Sequence, residues 1–237
     1  MNYNQVAIII PTYNERTNIV SLVREILQVI PGTQVVVVDD NSPDGTAKII
    51  SESFAKNKSV CLVKRTKKQG RGAAVLAGFH YANKQLASKI YIEMDADHSH
   101  EPQLLPALIS RVNATTVVCA SRYLPGASIS NWSKLRSIFS WLSNSIIRLL
   151  LHSSLTDNTN GYRAYPIAAV RVLLTTKLST KNYLVLAETT KLLTKHGFKY
   201  EEVPSHFSNR VSGKSNTTLS LLLRSISDLV KIWLQSK

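Results

Sequence analysis

The sequence predicts an α/β protein built on an open, mostly parallel sheet, and three observations carry that expectation. Short apolar runs alternate with helical patterns over the first 120 residues. Pro11, Pro43, Gly70 and Pro102 punctuate the junctions. Two of the runs end in acidic pairs, Asp39-Asp40 and Asp95-Ala96-Asp97, where a parallel strand would deliver them to the ligand edge of the sheet. The right-handed crossover rule then leaves doubly wound or layered α/β topologies.

Taken in order, the first strand is Val6–Ile10, and the polar turn Pro11-Thr12-Tyr13-Asn14-Glu15 leads into a helix over 16–29. Gln34–Asp39, with Val35-Val36-Val37-Val38, is the second strand. Asp44-Gly45-Thr46 ends a turn and caps a helix over 44–56. Val60–Lys64 and Lys89–Met94 are the next strands, separated by a helix over 72–86. A helix over 102–112 and a strand Thr116–Ala120 complete this half.

Beyond residue 122 the pattern changes. Pro125 and Gly126 mark a loop, and a helical stretch runs from Trp132 to Leu151. Leu135, Phe139, Leu142, Ile146 and Leu149 recur there at helical spacing, beside Trp132, Lys134, Arg136 and Arg148. Such a stripe suits a membrane–water interface, and it equally suits an ordinary packing helix. A second amphipathic stretch holds Leu219, Leu222, Leu223, Ile226, Leu229, Val230 and Trp233, with Arg224, Lys231 and Lys237 placed to meet anionic headgroups. There is no internal repeat and no linker long enough to require two domains, so residues 1–237 read as one domain.

At 237 residues and 44% hydrophobic content, the chain can bury one substantial core. Cys61 and Cys119 sit among β-branched residues and read as core thiols, in keeping with a reducing compartment. The start lacks the pattern of a secretory signal, and no apolar run reaches the roughly 18 residues of a membrane span, so a soluble or peripheral, cytoplasmic protein is expected. The net charge is +14; residues 1–100 contribute +3 and residues 101–237 contribute +11. That field attracts phosphates, whether of nucleic acid, anionic lipid or a phosphorylated substrate.

Four carboxylates at one rim call for a divalent cation, and a cation there can hold a diphosphate. Asp39 and Asp40 have no evident local task, so one of them could read a base or ribose. Tyr13 could stack on a base, and Glu15 could accept hydrogen bonds from a sugar or base edge. Asp95 and Asp97 suit Mg²⁺ or Mn²⁺. His98 and His100 shape their loop rather than bind zinc. The basic run Lys64–Gly72 precedes a helix and could bind phosphate. It lacks Gly-Lys-Ser/Thr, and a solvated basic loop is the simpler account.

Together these residues resemble the dolichol-phosphate mannose synthase branch of the family 2 glycosyltransferases. The matching blocks are Pro11–Arg16, Asp39–Thr46, Met94–Pro102, Ser121-Arg122-Tyr123, Trp132 with Arg136, Asp157–Arg163, Glu202-Val203-Pro204 with Phe207, and Arg210–Ser215. The resemblance spans roughly residues 5–220 and implies a GT-A type fold. It implies inverting transfer of a hexose, mannose above others, from a nucleotide diphosphate sugar such as GDP-mannose to a polyprenyl or dolichyl phosphate at a membrane. By the same resemblance Pro11, Tyr13, Glu15, Val38 and Asp40 surround the nucleoside. Asp95, Ala96 and Asp97 lie against ribose, diphosphate and metal, and Ser99 lies near that metal. Arg122, Arg136 and Arg210 bind donor or acceptor phosphates, with Ser140 beside Arg136 on the acceptor. Residues 1–120 then form the donor half and 121–237 the acceptor half.

The chain departs from the branch at Leu186-Ala187-Glu188 in place of Gln-x-Glu, at Asn216 in place of Lys, and at Trp141 in place of Arg. The alternative is a family 2 transferase acting on a cell-surface saccharide or another lipid. A nucleic-acid module fits poorly, because aromatics are not interleaved with the basic runs and the acidic rim would repel a phosphate backbone. A catalytically inactive relative is disfavoured by Asp95, Asp97 and the three arginines. A homo-oligomer joined through the amphipathic helices is a further expectation.

Overall fold

A computed structural model describes residues 3–178 and 184–208. Arg210, the block 210–216 and the amphipathic stretch 219–233 lie outside the described residues. A seven-stranded sheet forms the centre, in the order β3-β2-β1-β4-β7-β5-β8. Strands β1 (Val6–Thr12), β2 (Gln34–Asp39), β3 (Val60–Lys64) and β4 (Ile90–Glu93) are parallel. Next comes β7 (Arg163–Pro166), antiparallel to both neighbours, then β5 (Thr116–Ser121) and β8 (Lys199–Pro204), parallel to each other. The sheet therefore runs unbroken from the first half of the chain into the second.

The valine run explains the two-sided burial. Strand side chains alternate between faces, and Val35 and Val37 join one core cluster with Ile8 and Ile10. Val36 and Val38 join the other with Ala7 and Ile9. Helices α1 (Ile19–Val29), α2 (Thr46–Ser53) and α4 (Leu105–Arg111) cover the first face, α1 through Ile19, Leu22, Val23 and Ile26 at helical spacing. Helices α3 (Arg71–Gln85), α6 (Ile167–Thr175) and α7 (Val185–Lys195) cover the second. Gly78 lets α3 lie close, since a Cβ there would stand 2.5 Å from an Ile9 methyl. Cys119 is a core thiol, pushed up to about 12 by burial.

Helix α5 (Lys134–Leu151) packs differently. Ile147 and Leu151 meet Leu184 and Ala187 in a small separate cluster. Leu150 packs against that cluster, and the remaining large apolar side chains, Leu135, Ile138, Phe139, Trp141, Leu142, Ile146 and Leu149, are exposed. A short parallel pair, β6 (Ser128–Ile129) with β9 (His206–Phe207), closes the loop before α5.

The elements expected from the alternating pattern form within a few residues of their expected ends. The sequence reading gave no element between residue 152 and the C-terminal stretch, and β7, α6, α7 and β8 all lie there. Strand β7 is only four residues long and begins with Arg163, a fully buried arginine in the middle of a sheet. No hydrophobic periodicity announces such a strand.

Candidate active site

The carboxyl ends of β2, β1 and β4, adjacent in the sheet, bring Asp39-Asp40, Thr12–Glu15 and Asp95–Asp97 to one rim. Of the first pair, Asp39 does have a local task, at Ser42, whereas Asp40 is held by residues distant in the chain. Asp39 accepts from the Ser42 amide at 3.0 Å, the Ser42 hydroxyl at 2.6 Å and the Thr12 hydroxyl at 3.2 Å. Asp40 accepts from Arg65 Nη1 at 2.6 Å and from the amides of Gln69 and Gly70, each at 2.8 Å. Lys68 lies 3.5 Å over the Tyr13 ring. Pro11 sits half-buried opposite Val38 in the β1–β2 register. Glu15 accepts from Asn18 Nδ2 at 2.9 Å. Val38 and Ala96 are buried in the core, so they offer a ligand their main chain and not their side chains.

Most of the basic run is a solvated loop, with Lys64, Lys67 and Lys68 exposed, but Arg71 at its end reaches back across the rim. Its Nε donates to Asp95 Oδ1 at 2.7 Å, Nη1 to Glu93 Oε2 at 2.8 Å and Nη2 to the Gly161 carbonyl at 3.1 Å. Burial opposes the charge on Arg71, and Asp95 and Glu93 more than offset it, leaving the guanidinium firmly protonated. A Cβ on residue 161 would stand 2.0 Å from Nη2, so glycine is required for this approach.

Asp97 is buried, and its Oδ1 accepts from the Ser99 amide at 3.1 Å and hydroxyl at 2.6 Å. The intervening His98 adopts φ 59°, which turns the loop, and its ring bonds Ser21 of α1 at 3.0 Å, which ties the loop to that helix. His100 Nδ1 accepts the Asp95 amide at 3.1 Å, and its ring stacks on Tyr162 at 4.9 Å. Burial lowers its pKa, which favours the neutral ring. Both histidines therefore shape the loop that presents the carboxylates.

Across the rim, Arg122 directly follows β5. Asp157 takes its fork, with Nε at 2.6 Å and Nη2 at 2.7 Å, and Thr159 adds a contact at 2.7 Å. Burial works against the charges of Arg122 and Asp157, and each ionised partner restores the other. Glu202 on β8 fixes that loop, accepting from the Thr156 amide and hydroxyl and the Asp157 amide at 2.8–3.0 Å. Two guanidiniums lie within cation–π range of the Trp132 ring, Arg122 at 5.3 Å and Arg136 at 4.1 Å. Tyr123 donates to Ser140 at 2.7 Å. Arg122, just past the end of β5, thus shares one cluster with Arg136 and Ser140, one turn apart on α5.

Buried Arg163 organises the loop between them. It donates to the carbonyls of Asn158, Asn160 and Leu186, and to Thr190 Oγ1, at 2.9–3.0 Å. Leu186 is itself buried, so the departure from Gln-x-Glu places an apolar side chain in the core. Asp157, Arg163 and Glu202 lie within the matching blocks without individual roles expected of them, and Arg71 is marked in the sequence only as one member of the basic run Lys64–Gly72.

The donors on the rim suit a hard cation. Asp95, Asp97 and Ser99 all offer oxygen donors, and Asp95 is about one-third exposed. Among the described residues no group of three or more His, Cys, Asp and Glu side chains converges on a metal position. Mg²⁺ and Mn²⁺ commonly complete their shell with water and substrate phosphate, so a sparse protein contribution fits them.

A largely parallel sheet with carboxylates at the ends of adjacent strands and arginines facing them defines a GT-A type nucleotide-sugar transferase. The chain belongs to glycosyl transferase family 2, whose sequence model matches residues 7–174. It is 36% identical over 211 residues to an undecaprenyl-phosphate mannosyltransferase of Micrococcus luteus, covering 89% of this chain and 86% of the relative. It is 38% identical over 210 residues to a polyprenol monophosphomannose synthase of Mycolicibacterium smegmatis, covering 88% and 79%. A dolichol-phosphate mannosyltransferase of Pyrococcus furiosus is 33% identical over 236 residues, covering 96% of this chain and 64% of that protein. Glucosyl-3-phosphoglycerate synthase from Mycobacterium tuberculosis, solved with Mn²⁺, UDP and phosphoglyceric acid, shares the fold at TM-score 0.69 and 15% identity, covering 98% and 78%.

Proposed function

We propose that this enzyme transfers mannose, with inversion, from a nucleoside diphosphate sugar to a polyprenyl phosphate at a membrane surface. The observation that carries the reading is the cluster Arg122–Trp132–Arg136 at the start of α5. It suits a phosphate, and the helix leaving it turns an apolar face outward, which suits a lipid tail. The relatives named for this transfer, matched over most of the chain, support the same acceptor class.

In the proposed mechanism Arg136 and Ser140 hold the acceptor phosphate, and Arg122, fixed by Asp157, sets its line of approach. A phosphate monoester is largely a dianion near neutral pH, with a second pKa of about 6, so no strong general base is needed. Its oxygen bonds the anomeric carbon as the bond from that carbon to the diphosphate breaks, and the leaving diphosphate takes the electron pair. Asp95, Asp97 and Ser99 would hold Mg²⁺ or Mn²⁺, which would neutralise charge on the leaving group. Pro11, Tyr13, Glu15 and Asp40, with the main chain of Val38 and Ala96, would border the nucleoside. Lys68 must leave the Tyr13 ring if that face is to stack on a base.

Calorimetry with GDP, UDP and their sugar conjugates, with Mn²⁺ or with chelator, tests the donor half. Metal-dependent binding of one nucleotide is expected, and Asp97→Ala should abolish it while the circular dichroism melt stays cooperative. Donor binding that survives in both the chelator and the variant would overturn the metal assignment.

A further inference from the structure

A cleft of about 560 Å³ opens where the end of α5 meets the end of α6 and the side of α7. Lys177, Lys191 and Lys195 line it, with His152 beside them and Glu188 as its one acidic lining residue. Lys191 and Lys195 are four residues apart on α7 and so share one face. None of the three lysines forms an ion pair with a described residue. Apolar walls come from Leu151, Leu178 and Leu192.

Cations near helix ends ordinarily answer the helix dipole. That accounts for Lys195, in the last turn of α7, but not for Lys191, which lies further back and is half-buried. Burial alone lowers the Lys191 pKa, with no carboxylate acting against it. Three lysines against the single carboxylate of Glu188 leave the cleft with an excess of positive charge, a place for an anion to settle. The cleft is also distinct from the acceptor cluster: Arg136 and Leu151 are 15 residues apart on α5, or about 22 Å of helix.

We infer that this cleft binds the phosphate headgroup of an anionic membrane lipid, at the opposite end of α5 from the acceptor phosphate. Position points to lipid as the source, because the helix whose end lines the cleft at Leu151 is the same α5 that exposes an apolar ridge. A phosphate there would lie at the level of the headgroups while the ridge enters the lipid. This inference rests on the membrane reading proposed above.

The test is flotation with vesicles of phosphatidylcholine alone and with 30% phosphatidylglycerol, using the full chain. Wild type should bind both, and the anionic vesicles more tightly. Changing Lys177, Lys191 and Lys195 together to serine should remove most of that preference, a loss of up to about 100-fold if each lysine near the surface contributes fully. A control changing exposed Lys56, Lys58 and Lys84 to serine carries the same net charge and should keep it. Equal losses in the two triple variants would overturn the cleft in favour of a diffuse charge effect. Binding of glycerol phosphate that depends on the three lysines, with vesicle preference unchanged, would overturn the lipid source. Failure of wild type to bind either vesicle would remove the membrane reading itself, whereas binding without anionic preference would remove only the cleft.

Discussion

Replacing Arg71 by methionine tests the clamp that joins the donor rim to the loop carrying Asp157. The change removes donors to Asp95, Glu93 and the Gly161 carbonyl at once. Glu93 has a side chain only 3% exposed, and it would keep only the Tyr165 hydroxyl as a partner. Removing one member of a buried pair costs about 3–5 kcal/mol. Arg71 is 25% exposed, so water enters on one side and the lower figure applies. A loss of about 3 kcal/mol lowers the melting temperature by roughly 6–12 °C in a domain of this size. Donor binding should also weaken, because Asp95 loses the bond that aims it, and misplacing such a group by about 1 Å can cost 100-fold in rate. Adding Glu93→Gln should restore much of the stability, since the stranded charge is gone, but not the donor binding. Thermal melts and Mn²⁺-dependent nucleotide calorimetry read the two effects separately. A single variant that melts within about 2 °C of wild type, or a double variant no more stable than the single, would refute the reasoning.

Arg122→Lys should lose the two-pronged contact with buried Asp157, destabilising the protein by about 1–3 kcal/mol in urea titration. It should raise KM for the phosphate acceptor more than for the donor. Phe139→Glu, at a side chain 59% exposed, should change stability by no more than about 0.5 kcal/mol yet reduce flotation with neutral vesicles. Asp157 has a folded pKa held below its ordinary 3.8, so its contribution is complete above pH 3.8 and is lost as pH falls through the folded value. Acid titration of Asp157→Asn should therefore lack that part of the wild-type decline.

Asp39 and Asp40 show where reading the sequence stopped short. Their place at the end of β2 was legible, because four valines followed by two aspartates can hardly be anything else in an alternating α/β chain. The partners of Asp40 were not, because Arg65, Gln69 and Gly70 lie 25 to 30 residues away. The order of motifs marked the donor rim, since each block follows its own strand and needs only local information. The acceptor cluster gathers Arg122, Trp132, Arg136 and Ser140 with Asp157 and Glu202, and only the resemblance suggested any of that meeting.

The sequence by itself determined the strands and helices of the first half, because apolar periodicity and Pro/Gly punctuation are properties of neighbouring residues. It also determined where the acidic loops fall. Tertiary structure alone decided that β7 enters the sheet reversed between β4 and β5, carrying buried Arg163 into the core. It alone decided that Arg71 spans from Asp95 to Gly161, and that α5 leaves its apolar face uncovered by the described residues. A buried charge can exist only where distant parts of the chain supply its partners, and those partners meet only once the sheet has formed.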